Sequence, residues 1–149
     1  MVAAKGRLGA AQASRTAAAR LDAYANSHYR SLKNARDGHP LAARLDAADS
    51  VGFLLELLFA LDRRPRPYNK YLAWELDRFP LPGWDTGELL TTLGRITGAG
   101  DVGAQRELFG RVEAVARGGT RGDAGRLGRR PRADAPRCAA PPGALGDDP

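Results

Sequence analysis

The stretch LAARLDAADSVGFLLELLFAL, residues 41–61, is apolar around most of its circumference when wound as an α-helix. Leu45, Ala48, Gly52, Leu55 and Phe59 make one stripe, and Val51, Leu54, Leu58 and Leu61 make a second. A helix with two such stripes has to be covered on more than one side. The spacing therefore predicts a central buried helix around which the other elements pack. Pro40 suits its first turn, and the run RRPRP, residues 63–67, ends it by removing amide donors and restricting the residues before each proline.

Helical period governs the flanks as well. Leu21, Tyr24, Ala25, His28, Leu32 and Ala35 recur at three- and four-residue steps and predict one face of a first helix ending near Gly38, with Asn26, Arg30, Lys33 and Asp37 opposite. A short third helix is predicted over YNKYLAWELDRF. A fourth, GELLTTLGRI, is capped by Asp85 or Thr86, and a fifth, VGAQRELFGRVEAVAR, by Asp101. No segment alternates like a strand between hairpin signals. The predicted fold is all-α, an antiparallel bundle of about five helices.

All the aromatic residues (four Tyr, four Phe and two Trp) fall between Tyr24 and Phe109, which places the core there. The 32 residues after Arg117 hold seven Gly, five Pro and six Arg, with Leu127 and Leu145 as their only large apolar side chains. Such a segment buries too little to offset its ordering entropy. Residues 118–149 are thus predicted as a disordered tail, 19–117 as the bundle, and the Ala-rich residues 1–18 as a flexible arm or helix extension.

Charge and cysteine content narrow the function classes. A formal net charge of +6 permits an acidic or phosphate-bearing partner without requiring nucleic acid. Cys138 is the lone cysteine, which excludes an intramolecular disulfide or a cysteine-rich metal site and points to a reducing cytoplasm. No apolar run approaches the ~18 residues of a membrane span, and the N-terminus has no continuous apolar core of a secretory leader. The sequence has no HExxH motif, Cys/His cluster or Walker-type loop.

Two places could carry chemistry. Arg63, Arg64, Arg66, Tyr68, Asn69 and Lys70 put guanidinium groups just before a helix start, where an anion is favoured; the same residues also read as a rigid proline corner with solvated arginines. Asp46, Asp49, Phe53 and Glu56 form a row on the central helix. Its carboxylates either face water or are held by cations such as Arg30 and Lys33, because a buried carboxylate is stable only when paired. The paired arrangement would make a mixed-charge groove for a hydroxyl- or amine-bearing substrate. His28 lies beside Tyr24 on the apolar face and reads as a core residue, and His39 reads as a solvated turn residue. Ser27 points away from His28, so the two do not make a nucleophile–base pair.

YRSLKNARDG (Tyr29–Gly38) and RPRPYNKYLAWEL (Arg64–Leu76) are the most specific parts of a pattern running from Leu21 to Arg117. This pattern resembles the C-terminal helical half of bacterial nucleotidyltransferase-domain proteins related to the aminoglycoside (kanamycin-type) enzymes. The resemblance implies a bundle that holds the acceptor substrate behind a separate domain, which binds Mg²⁺ and a nucleoside triphosphate through a Gly-Ser turn and an Asp-x-Asp pair. Neither signature occurs in this chain. Nucleotidyl transfer needs clustered carboxylates to hold its cations, so the chain is not expected to catalyse it alone and no metal or cofactor is expected within it.

On this resemblance the chain is an accessory, substrate-binding domain, free-standing or a truncated remnant. It would work with a catalytic domain in trans or associate with itself. Arg30, Lys33, Arg66, Tyr68, Asn69 and Lys70 would line its cleft. Asp49, Glu56 or Glu75 would orient the acceptor hydroxyl, although these carboxylates come from helix-face reading and not from a family motif. The abrupt turn to Arg, Pro and Gly after Gly118 suggests out-of-frame translation of the tail. Two other classes are a toxin-type helical ribonuclease, whose Arg-to-His spacing this chain lacks, and a weak, salt-sensitive nucleic-acid binder acting through the tail.

Overall fold

The computed structural model describes residues 6–124, with side chains described for residues 6–118. Five helices make up the fold: α1 (Ala10–Arg36), α2 (Pro40–Leu61), α3 (Leu72–Arg78), α4 (Thr86–Ala99) and α5 (Val102–Ala124). A 3₁₀ turn, Asn69–Tyr71, leads into α3. Among the described residues there is no strand, and the protein is an all-α bundle. No helix of the described residues is long and apolar enough to cross a membrane. One compact unit ends at Val115 and a second begins at Ala116. Helix α5 continues to Ala124, so residues 118–124 of the segment predicted as tail are helical, and 125–149 lie outside the described residues.

Helices α1 and α2 form an antiparallel hairpin across a three-residue turn. Gly38 takes a φ of +79°, and the His39 amide bonds back to the Asn34 carbonyl at 2.8 Å, closing the end of α1 as glycine-terminated helices commonly do. The hairpin is pinned by Ser31 Oγ donating to the Ala43 carbonyl at 2.8 Å and by Asp46, which accepts from Asn34 at 2.8 Å and pairs with Arg30 at 3.1 Å. Helix α1 begins at Ala10, within the stretch predicted as arm or helix extension, and Ala13 is already buried.

Helix α2 is central, but only its second half is covered all round. From Leu54 to Ala60 every residue except Glu56 is buried, whereas Leu41, Leu45 and Ala48 are exposed in the first half. The predicted stripes therefore need correcting at Leu45, Ala48 and Leu61, which face solvent; Ala43, Ala47, Ser50 and Leu57 take the inward positions. Small side chains at 43, 47 and 50 let α1 pack close along that face. The large side chains fill the space further on, where Leu76, Leu81, Leu89, Leu93, Ile96, Leu108 and Val112 join the same core.

Helices α4 and α5 start on side-chain caps, as their sequences predict, whereas α3 has none. Asp85 accepts from the Glu88 amide at 2.8 Å, and Asp101 accepts from the Ala104 amide at 2.9 Å. Asp101 also pairs with Arg95 at 2.7 Å, and the Ala104 amide followed by the Arg95 guanidinium holds its carboxyl below the usual carboxylate range. Buried His28 stacks on Phe109 of α5 at 4.4 Å, and the Tyr24 ring lies 5.6 Å from Phe109 and 6.2 Å from His28.

Candidate functional site

An open concavity lies at the C-terminal end of α2. There α2 ends in a bond pattern that usually calls for glycine: the Arg64 amide donates to the Phe59 carbonyl and the Arg63 amide to the Ala60 carbonyl, both at 2.9 Å. The left-handed residue in this pattern is Arg63, with a φ of +56°, an unfavourable conformation for a residue with a Cβ. It is clasped by Leu8, whose amide donates to the Arg63 carbonyl at 2.8 Å while Arg63 Nε donates to the Leu8 carbonyl at 3.1 Å. Two hydrogen bonds to one arm residue help hold a turn that the local sequence disfavours.

Beyond this turn the chain runs extended through Pro65 and Pro67 into the 3₁₀ turn, enclosing a cleft of about 480 Å³. That size suits a small molecule. Leu8 and Thr16 contribute from the N-terminal side, Glu56 and Ala60 from α2, and residues 64–69 from the turn.

The charges around the cleft share partners. Glu56 is shared by Arg20 of α1, in a close ion pair, and by Arg66 at 3.6 Å. Arg66 also donates to the Asn69 side-chain oxygen, while its Nε is buried without a partner. Arg64 lies between Asp62 at 2.7 Å and Glu75 at 3.5 Å, donates to the Phe79 carbonyl at 2.9 Å and covers the Phe59 ring at 5.2 Å. Three guanidinium groups thus face three carboxylates. A strong anion would have to displace Glu56, whereas a neutral or amine-bearing ligand can use both donors and acceptors in place.

The residues predicted to form one cleft divide between two regions. Arg66, Tyr68 and Asn69 line it together with Glu56. Glu75 stands behind it, paired to Arg64. Lys70 is exposed, with its ammonium 4.8 Å from the Tyr71 ring centre. Arg30 belongs to the hairpin near Asp46, ten positions before Glu56 on α2 and so ~15 Å away along the helix axis. Lys33 and Asp49 are exposed. Sequence reasoning missed Leu8 and Thr16 because residues 1–18 read as an arm, and missed Arg20 because its partner Glu56 is set by tertiary packing. Leu8, the only leucine before Leu21, was the available signal.

No protein-family model, curated protein or solved structure matches the chain. Among the described residues no group of three or more His, Cys, Asp or Glu side chains is placed to hold a metal ion.

Proposed function

We propose that this chain is a substrate-binding helical domain of a nucleotidyltransferase-like protein, and that the cleft beside Glu56 and Arg66 holds a small hydroxyl- or amine-bearing ligand. The observation that carries this reading is the wall in which Arg20 and Arg66 share the Glu56 carboxylate next to Asn69. A ligand ammonium can take the place of one guanidinium on Glu56, and ligand hydroxyls can donate to Asn69 Oδ1 or Glu56 or accept from Arg66. These contacts orient the ligand and perform no bond-making step. On this reading the nucleoside triphosphate and Mg²⁺ belong to a catalytic domain acting in trans, in the cytoplasm.

Thermal unfolding of the whole chain with amino sugars, aminoglycosides and Mg-ATP tests the proposal. A ligand specific for the folded state at a hundred times its Kd adds about 2.7 kcal/mol of stability and raises Tm accordingly. Amine-bearing ligands are expected to raise Tm, with the shift lost in Glu56→Gln and weakened in Arg66→Ala, while Mg-ATP leaves Tm unchanged. A panel without any shift, or a shift that survives both substitutions, rejects the cleft as the binding site.

A further inference from the structure

Helix α3 turns Leu76 into the core, to 1% exposure, and together with the 3₁₀ turn before it leaves two large aromatic rings outside: Tyr71 is 49% exposed and Trp74 46%. Tyr71, Trp74 and Arg78 follow at steps of three and four, so they share the side opposite Leu76. Each ring is attended by a cation. Lys70 Nζ is 4.8 Å from the Tyr71 ring centre, and the Arg78 guanidinium carbon is 5.7 Å from that of Trp74. Two acids lie on the same helix. Glu75 is engaged by Arg64, and Asp77, between Trp74 and Arg78 in sequence, is exposed.

This combination selects among partners by its chemistry. A second copy of the chain, set face to face, would bring the cations Lys70 and Arg78 of one copy against those of the other. An acidic peptide would satisfy the cations but offer little to the ring faces. A nucleic-acid duplex offers phosphates, with its base faces already stacked. A single strand offers both, because bases stack on aromatic side chains while the phosphates meet Lys and Arg. Cation–ring contacts are weak at exposed sites, so a base can take the ring face and pass the cation to its own phosphate.

We propose that the face formed by Tyr71 of the 3₁₀ turn and Trp74 of α3 docks single-stranded nucleic acid, with bases on the two rings and phosphates on Lys70 and Arg78. None of Lys70, Tyr71, Trp74 and Arg78 lines the cleft. The test is titration of the full chain with labelled oligothymidylate, oligouridylate and a duplex of equal length, read by anisotropy. Trp74 fluorescence is followed in a Trp84→Phe background.

Binding to the single strands is expected to quench Trp74. Trp74→Ala should weaken it roughly 5- to 150-fold, the range for one stacked base, while Trp74→Phe retains most of the affinity. Lys70→Ala and Arg78→Ala should each flatten the salt slope by about 1, and Asp77→Asn should tighten binding. Preference between the thymidylate and uridylate strands decides which nucleic acid is bound. Absence of binding, binding that ignores Trp74→Ala while circular dichroism shows an intact fold, or equal affinity for the duplex would each overturn the proposal; the last two outcomes would assign binding to charge alone.

Discussion

His28 shows how one side chain couples packing to pH. Its ring lies parallel to Phe109 at 4.4 Å, it is only 3% exposed, and Nδ1 has no hydrogen-bond partner. Burial, and secondarily the Arg106 charge, lower its pKa below the ordinary 6.5. The folded state therefore favours the neutral ring, and the unfolded chain binds the proton more readily. Stability from this site is complete above pH 6.5, declines as the pH falls below that value, and levels off beneath the lowered folded pKa. Urea unfolding between pH 7.5 and 4.5 should show this loss, and His28→Phe should remove that part of it. An unchanged pH profile in the variant would mean that His28 titrates alike in both states.

Single elements depend on how their ends are closed. Helix α4 finishes on Gly100, whose φ of +64° suits a residue without a side chain, and a Cβ there would meet Arg44 Cγ at 3.1 Å. Arg44 is itself bound to the Gly98 carbonyl at 2.8 Å, so it yields only at the expense of that bond. Gly100→Ala should destabilise the protein by about 1–2 kcal/mol through the left-handed conformation, measured as a fall in the urea midpoint with the slope unchanged. Helix α2 meets the same need with Arg63 and lies against Leu8 in compensation. Glycine patterns point to the ends of α1 and α4, whereas the left-handed turn after α2 carries no such mark in the sequence.

Across the whole molecule, stability is concentrated where α2 is enclosed on every side. Leu54 is fully buried, and its truncation to Ala should cost about 2–5 kcal/mol. Leu45 is 60% exposed, so Leu45→Ala should stay within ~0.5 kcal/mol. Equilibrium denaturation of the two variants measures the contrast directly; equal losses would place Leu45 in a buried interface of the protein in solution. The same comparison checks why two stripes that look alike in sequence end in different surroundings.

The sequence by itself determined the helical class, the order of the helices, a cap at Asp85 or Thr86 and another at Asp101, and the centrality of residues 41–61. These follow from period, proline placement and capping chemistry, all of which act within a few residues. It also marked Arg66, Tyr68 and Asn69 as a group, since a proline-bound turn holds them together locally. Only tertiary structure decided that Arg20 and Glu56 share the cleft wall with Arg66, that Arg30 stays with Asp46 at the far end of the hairpin, and that Leu45 faces water. Each depends on which helix passes which at what depth, a long-range packing choice that one helix's apolar pattern does not encode.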